Sequence, residues 1–440
     1  MMKRNLLKSL TLFLIALTIS CTQSTISPTE DQSPDEILEK AYLEMISQRG
    51  KPSPPNIPKH NPKKVYIHYM PWFYSMEHDG FWGQHWTMTN KNPDIMDSNG
   101  KREIASHYYP LIGPYSSNDD DLQEYHLLLM KLSGIDGVIF DWYGSRDVHD
   151  YQDLKNSTES FIDEIEEVGL EFAIMYEDKA AKHTMTQEVE FFSISAAISD
   201  LEYIQNTYFT SDNYIKINGS ELLFIFGPDF IIDPLDWELI VSHLDSPPFF
   251  MSLWKASSRL GKYAGGEFSW VDTGHMNTLF YYYEYSMLNN IKTVGGIYPR
   301  FNDFYDEGGW ETASNNDWDI FSNGSQVLDE TLALTHAYPV EFIQIITWND
   351  FGEGTMVEPT EEFGFSLLER IQSYTGVQYT IEDLQLPYKL YLLRKKHKND
   401  ARLQTILNRA YQALFMLDLE YAEVLLSTIQ KNTACNFYRI

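Results

Sequence analysis

The feature that most constrains the fold of this chain is a series of short apolar runs separated by stretches of helix length. The runs are KKVYIHYM, DGVIFDWY, LEFAIMYED, ELLFIFGP, PFFMSLW, GEFSWVD, VGGIYPRF and VEFIQIITWND, eight in all. Such runs are typical of parallel strands buried on both faces, and eight of them predict an α/β protein with a (β/α)8 TIM barrel. An open doubly wound sheet is the structural alternative, although no GxGxxG or GxxxxGK pattern follows any run.

Composition along the rest of the sequence divides the chain into four parts. We expect a signal peptide at residues 1–21, a tether with one short helix at 22–62, the barrel at 63–376 and a small C-terminal helical extension at 377–440. The tether is rich in Pro, Ser and charged residues, which is typical of a flexible linker. The extension carries Leu, Tyr and Ala at helical spacing, which predicts a helical hairpin or a short bundle.

The N-terminal segment predicts export. Lys3, Arg4 and Lys8 precede the apolar run LTLFLIALTIS, which is too short to span a bilayer and is followed by Cys21. We interpret it as a lipoprotein signal in which Cys21 is lipidated, so that the protein is periplasmic or displayed at the cell surface of a bacterium. An ordinary cleavage nearby is the alternative. Only Cys435 then remains, which leaves no internal disulfide.

Two charged clusters have interpretations that do not involve a ligand. The string SSNDDD at residues 116–121 does not have the spacing of an EF-hand and precedes a helix, so we predict helix capping instead of calcium binding. The basic cluster at residues 394–398 contrasts with the acidic barrel. We expect it to be a solvated face docked on the barrel, with a binding module as the less favoured alternative.

Charge excludes one class of partner. The chain has 63 Asp and Glu against 33 Lys and Arg, a formal charge of −30, which repels nucleic acid and anionic membrane surfaces. Aromatic residues make up 15% of the chain, and their rings are suited both to filling a core and to stacking on sugar rings.

Polar and aromatic side chains are concentrated where the predicted strands end, which is where a barrel of this type builds its site. At the end of the last run, the apolar stretch at residues 345–348 breaks into Asn349, Asp350 and Glu353. Glycosidic cleavage requires paired carboxylates and uses flat rings to hold sugars. The candidate catalytic residues are Asp350, Glu353 and Glu177, and the candidate substrate-binding residues are Tyr69, Trp72, His85, Trp86, Asp141, Trp142, Tyr143, Lys179, Lys255, Tyr298, Trp348 and Asn349.

Four blocks of the sequence carry a resemblance to a known family. VYIHYMPWFYSMEHDGFWGQHWT, HYYPLIGPYSS, FAIMYED and IITWNDFGEGTMVEP together resemble the family 99 glycoside hydrolases, the endo-α-mannosidases, over about residues 64–360. In that family the last block reads NEWHEGT. Its first carboxylate deprotonates the sugar 2-hydroxyl to form a 1,2-anhydro intermediate, and its second is the general acid/base. The resemblance gives these roles to Asp350 and Glu353, and aligns Glu177, Trp142 and Tyr143 with other site positions.

The chain also departs from the family 99 pattern. Asp350 stands where the family has Glu, and Phe351 and Gly352 replace its Trp and His. The string TWNDFGE is also similar to the last strand of the family 71 α-1,3-glucanases, so the resemblance implies a glycoside hydrolase of the family 71/99-like group. We expect a monomer that acts on an oligo- or polysaccharide without a cofactor and touches membrane only through its lipid anchor.

Two other function classes remain as alternatives. A catalytically silent carbohydrate-binding lipoprotein on the same barrel would bind glycan without turnover. A polysaccharide-assembly transferase is disfavoured, because an exported protein does not meet nucleotide-activated sugars and no basic phosphate-binding loop is visible.

Overall fold

A computed structural model describes residues 53–189, 191–310 and 318–437, although side chains are described only as far as residue 430. The predicted signal peptide with Cys21 and most of the predicted tether lie outside these residues, so the lipid anchor stays a prediction. No helix in the described ranges is long and apolar enough to cross a membrane.

Eight parallel strand positions form the barrel, as the sequence predicted. The strands are β1 Val65–Tyr69, β2 Gly137–Trp142, β3 Glu171–Tyr176, β4 Lys216–Ile217, β5 Ser220–Ile225, β6 Phe249–Leu253, β7 Ala264–Phe268, β8 Lys292–Thr293, β9 Gly295–Ile297 and β10 Ile343–Ile345. The order along the sheet is β8-β7-β6-β5-β3-β2-β1-β10-β9. The small strand β4 pairs antiparallel with β5 through the turn Asn218–Gly219, both at positive φ, and is not part of the barrel wall.

Two short strands that are neighbours along the chain complete the wall. β8 pairs with β7 and β9 pairs with β10, and only Val294 lies between them. The segment from Lys292 to Ile297 is therefore the seventh barrel strand, interrupted for one residue. β1 pairs with β2 on one side and with β10 on the other, in the registers Tyr66↔Gly137 and Val65↔Ile343. The (β/α)8 fold is thus confirmed.

Helices follow the strands and cover the barrel. They are α1 Gln84–Thr87, α2 Asp120–Leu132, α3 Tyr151–Val168, α4 Lys179–Thr186, α5 Ser193–Thr207, α6 Pro234–Val241, α7 Met276–Leu288, α8 Tyr305–Gly308, α9 Gln326–His336, α10 Ser366–Thr375, α11 Ile381–Lys396, α12 Ala401–Phe415 and α13 Leu419–Phe437. The last three are the helices expected in the C-terminal extension. Pro54–Ile440 form one compact unit, so these helices belong to the same body as the barrel.

The acidic string before α2 caps that helix, as predicted. The carboxylate of Asp119 accepts a hydrogen bond from the backbone N–H of Asp121 at 3.1 Å. The basic cluster of α11 docks on the same end of α2. Lys395 Nζ lies 2.6 Å from Asp119 Oδ1, and Arg394 Nη2 donates to Glu124 Oε1 at 2.7 Å. The predicted docked face is therefore observed, with ion pairs as its contacts.

Candidate active site

Two of the candidate carboxylates lie on the loop that follows β10. The backbone N–H of Asp350 donates to Thr347 Oγ1 at 2.9 Å. Asp350 Oδ1 accepts a hydrogen bond from the backbone N–H of Glu353, also at 2.9 Å. Gly354 follows at a φ of +69°, a conformation that favours glycine. The side chain of Asp350 is only 4% exposed. The loop therefore holds both carboxylates in a defined turn, with Asp350 buried and Glu353 partly exposed.

The ends of β2 and β3 bring Asp141 and Glu177 to the same site. Successive side chains of a strand point to opposite faces, so each carboxylate and its immediate neighbour diverge. Asp141 interacts electrostatically with Glu177 and Asp350, whereas the adjacent Trp142 packs outward on Tyr203 of α5. Burial and then the charge of Glu177 raise the pKa of Asp141 well above its usual range. Its Oδ1 is buried and has no hydrogen-bond partner among the described residues.

The other three carboxyls of the cluster also have raised pKa values. Burial, followed by the charge of Asp350, raises the pKa of Glu353 well above its usual range, although a hydrogen bond from Tyr305 opposes this. Burial raises the pKa of Asp350 to about 6. Burial raises the pKa of Glu177 to about 7, against the opposing charge of Lys179. The four groups lie close enough that the ionisation of one disfavours that of its neighbours.

One oxygen of Glu353 is held and the other has no partner. Tyr305 donates its hydroxyl hydrogen to Glu353 Oε1 at 3.3 Å. Glu353 Oε2 is buried and makes no hydrogen bond in the part of the chain that the structure describes. A buried polar atom without a partner is costly, and such atoms concentrate at sites that bind or react. Oε2 is therefore the oxygen of Glu353 whose hydrogen-bonding capacity is unused.

Aromatic rings form a row beside the carboxylates. The His85 ring stacks on Trp72 with centroids 4.1 Å apart and an interplanar angle of 8°. Tyr143 lies nearly parallel to Trp72 at 6.4 Å and to Tyr151 at 5.2 Å. His85 Nε2 is 3.8 Å from a carboxylate oxygen of Asp150. Three sequence-predicted residues, Trp72, His85 and Tyr143, are thus brought together as a wall of flat rings.

Four predicted sugar-binding residues lie in the core. Trp142, Trp348, Trp86 and Asn349 are all fully buried. Trp142 packs against α5 as described above, and the ring of Trp348 lies 5.1 Å from His126 of α2. Trp142 follows Asp141 by one position, and strand alternation turns it outward, whereas Trp86 lies in α1 and Trp348 lies beyond the end of β10. Asn349 holds backbone, as described below, and has no amide group left for a sugar.

Four further predicted contacts have other partners in the structure. Tyr69 is buried, with its ring 4.5 Å from Phe161 of α3. Tyr298 is buried, and its hydroxyl lies 2.9 Å from His275 Nδ1. Lys255 is exposed and lies over the ring of Trp254 at 3.8 Å. Lys179 pairs with Asp229 at 3.0 Å and acts on Glu177 only through its charge.

The sequence reasoning missed Tyr305, Tyr151 and Trp310. Tyr305 and Trp310 come from the string NDFYDEGGW, which follows the seventh strand and therefore belongs to a strand-end loop. Its position could have indicated a role, but its polar and glycine-rich composition was not distinctive. The ring of Trp310 lies 5.5 Å from His85 and 6.0 Å from Tyr305, so it connects the ring row to the carboxylates.

The donor atoms of the site do not suggest a metal centre. Within the described ranges, no group of three or more His, Cys, Asp or Glu side chains is arranged to hold a metal ion. The raised pKa values come from burial and like charge, which leaves protonated carboxyls available for acid catalysis. The arrangement can donate a proton from one carboxyl and accept one at another, beside a wall that can hold a sugar.

Part of this chain is similar in sequence to known proteins. Residues 61–246 match the model of glycosyl hydrolase family 99. A glycoprotein endo-alpha-1,2-mannosidase-like protein of Danio rerio is 32% identical over 96 residues, which cover 19% of this chain and 22% of that protein. The chain therefore matches about a fifth of the length of this relative. The family segment contains Asp141 and Glu177 and ends before the loop that carries Asp350 and Glu353.

Solved structures agree on the fold. The GH99 endo-alpha-mannosidase from Bacteroides thetaiotaomicron superposes with a TM-score of 0.56 at 17% identity, covering 74% of this chain and 99% of that one. The same enzyme in complex with BIS-TRIS-Propane gives 0.54 at 18% identity, with coverages of 74% and 98%. The molecule is thus a (β/α)8 barrel, as those two structures are. The resemblance to family 99 is confirmed over residues 61–246.

Proposed function

We propose that this protein hydrolyses α-linked glycans, with Glu353 as the general acid/base and Asp350 as the partner base. The observation that carries the proposal is the position of these two carboxylates. They lie three residues apart on one buried loop, and Glu353 Oε2 has no hydrogen-bond partner among the described residues. The difference in pKa supports the assignment of roles, because the lower value of Asp350, about 6, lets it ionise while Glu353 keeps its proton.

The proposed reaction follows from these states. Protonated Glu353 gives its proton to the glycosidic oxygen, and the leaving sugar departs as an alcohol. Ionised Asp350 takes a proton from the group that attacks the anomeric carbon. If that group is water, Asp350 then loses this proton to solvent and Glu353 regains one from it. If it is the sugar 2-hydroxyl, Glu353 takes a proton from the water that opens the anhydro ring, and Asp350 returns its proton to the 2-oxygen. Tyr305 holds Oε1 of Glu353, so that Oε2 faces the leaving group. The ring row of Trp72, His85 and Tyr143 binds the sugar by stacking.

We propose α-mannan or a related α-glycan as the substrate, because the similar proteins are named as endo-alpha-mannosidases. An α-1,3-glucan is the second candidate. It is favoured by the string TWNDFGE, in which Asp350 and Phe351 replace the Glu and Trp of the family 99 pattern. Incubation with α-mannans, α-1,3-glucans and other glycans, followed by product sizing and proton NMR of the first-formed anomer, distinguishes the two.

Variants of the two carboxylates test the mechanism. We expect Glu353→Gln, which cannot donate a proton, to lower kcat by about 10² to 10⁴-fold on a natural glycan. The loss should be smaller with an activated aryl glycoside, whose departure needs little protonation. Asp350→Asn should impair both substrates, because a base is needed whatever the leaving group.

Glu341→Gln is the matched control, because Glu341 is exposed and precedes β10, at the far end of that strand from the loop. It should keep wild-type kcat. Turnover of natural glycan by Glu353→Gln at the wild-type rate would contradict the acid assignment and transfer it to Glu177. Wild-type protein that binds glycan without any turnover would instead identify a carbohydrate-binding protein.

A further inference from the structure

The loop that carries the proposed catalytic pair is closed at its base. The backbone N–H of Thr347 donates to Thr355 O at 3.1 Å, and that of Glu358 donates to Trp348 O at 2.9 Å. The hydroxyls of Thr347 and Thr355 are 3.0 Å apart. Residues 347–358 therefore form a compact loop whose two ends are held together, and Asp350 lies between those ends.

Asn349 fastens this loop to the end of β1. Its Oδ1 accepts from the backbone N–H of Met70 at 2.8 Å, and its Nδ2 donates to Met70 O at 3.0 Å. The same Nδ2 group lies 3.3 Å from the hydroxyl of Tyr115, which accepts its second hydrogen. Every hydrogen-bonding atom of this buried amide is used, and the next residue along the chain is Asp350.

A second set of buried groups continues from Tyr115. Tyr115 donates its hydroxyl hydrogen to Glu358 Oε2 at 2.6 Å. Glu358 Oε1 lies 3.3 Å from His126 Nε2, and His126 Nδ1 lies 3.1 Å from the hydroxyl of Tyr69. Tyr69, Tyr115, His126 and Glu358 are each at most 3% exposed. One buried chain of polar groups therefore runs from α2 to the loop.

The donors and acceptors of this chain agree in direction. Asn349 donates to Tyr115, and Tyr115 donates to Glu358. A hydroxyl has one hydrogen, so Tyr115 can serve both neighbours only in this order. The hydroxyl of Tyr115 therefore connects the two ends of the loop, with Asn349 on one side and Glu358 on the other. Buried hydrogen bonds of this kind rigidify a structure, although Glu358 Oε1 and His126 Nε2 make none among the described residues.

We propose that Tyr115 and Glu358 are positioning residues, which hold the loop of Asp350 and Glu353 in its reactive geometry through Asn349. This inference rests on the proposed function. Both side chains are buried, and their hydrogen bonds go to each other and to Asn349. Small displacements of catalytic groups lower the rate strongly, because reacting atoms must be aligned within a fraction of an ångström. Removing the hydroxyl of Tyr115 takes away one of the three hydrogen bonds of Asn349 and leaves one oxygen of Glu358 without its donor.

The chain offers a matched control in Tyr125. This tyrosine is as deeply buried, and its ring lies 5.6 Å from the same His126. Its hydroxyl has no hydrogen-bond partner in the described part of the chain. Tyr125→Phe and Tyr115→Phe therefore remove the same atom from similar surroundings, and only the second breaks the network.

The test compares kcat and KM of the two variants on the glycan that wild-type protein hydrolyses, corrected for the folded fraction by circular dichroism. We expect Tyr115→Phe to lower kcat by about 10-fold or more with KM within about 2-fold, a barrier change of roughly 1.4 kcal/mol for each factor of ten. Tyr125→Phe should keep both parameters. Glu358→Gln keeps an oxygen that can accept from Tyr115, so it should retain more kcat than Glu358→Ala.

A kcat for folded Tyr115→Phe equal to that of Tyr125→Phe overturns the proposal, as does equal kcat in Glu358→Gln and Glu358→Ala. If Tyr115→Phe does not fold, the two Glu358 variants decide. Failure of the proposed function is a different result, because wild-type protein would then hydrolyse none of the glycans.

Discussion

Two groups of carboxylates in this molecule have opposite surroundings. At the mouth of the barrel, Asp141, Asp350 and Glu353 lie together without a cationic side chain among the main influences on their pKa values. At the start of α2, Asp119 and Glu124 are instead paired with the basic residues of α11. The first group has no cation to oppose the effect of burial on its pKa values. The second holds two elements together, although burial raises the pKa of Glu124 to about 8 against the charge of Arg394.

The difference shows what each group contributes. A carboxylate that is paired and hydrogen-bonded stabilises the fold, whereas unpaired carboxyls in a buried site destabilise it unless they bind protons. The mouth cluster is therefore retained at a cost in stability, which is the usual signature of a site selected for chemistry. Three predictions test this contrast.

The largest effect should come from breaking the paired group. Arg394 is 6% exposed, and it pairs with Glu124 through two nitrogen atoms. Arg394→Met should lower the free energy of unfolding by about 3 to 5 kcal/mol, because Glu124 is left buried without its partner. Lys398→Met is the control, since the pair of Lys398 with Glu77 is exposed. Urea denaturation measures both, and equal stability of the two variants would show that the buried pair contributes nothing.

A smaller change in the free energy of unfolding, of opposite sign, should come from the carboxylates at the mouth of the barrel. Asp350 has a pKa of about 6 in the folded protein against about 4 when unfolded. Between these two pH values the folded protein therefore holds more protons than the unfolded chain. The stability from this carboxyl is fully present below pH 4 and is lost as pH rises through 6. Asp350→Asn should therefore raise the free energy of unfolding at pH 7 by about 1 to 3 kcal/mol, while activity is lost.

Thermal unfolding at pH 4.5 and pH 7.5 measures this second prediction. The advantage of Asp350→Asn over wild type should be larger at the higher pH. An advantage that is independent of pH would mean that ionisation of Asp350 is not its source.

The smallest effect should separate capping from ion pairing at Asp119. Asp119→Asn keeps the cap to Asp121 but weakens the attraction to Lys395, whose side chain is one-third exposed, so we expect a loss of about 0.5 kcal/mol. Asp119→Ala also removes the cap and should cost about 1 kcal/mol more. Chemical denaturation with both variants checks the order, and equal losses would mean that the cap contributes nothing.

The sequence alone determined the barrel and the ends of its strands. Each of the eight apolar runs coincides with a barrel strand, because the hydrophobic effect requires a strand covered on both faces to be apolar throughout. The runs also located the carboxylates, since Asp141, Glu177 and Asp350 come directly after buried segments. The helical spacing of Leu, Tyr and Ala in the C-terminal sequence likewise predicted α11 to α13.

Only the tertiary structure decided which side chain at each strand end enters the site. A strand that is apolar on both faces carries no alternation, so the sequence does not show whether Asp141 or Trp142 points inward. Packing against the helices turns Trp142 outward and places Asp141 inside with Tyr143. Tyr305 and Tyr115 likewise approach the loop of Asp350 from positions 45 and 235 residues away along the chain, and such long-range contacts leave no local pattern.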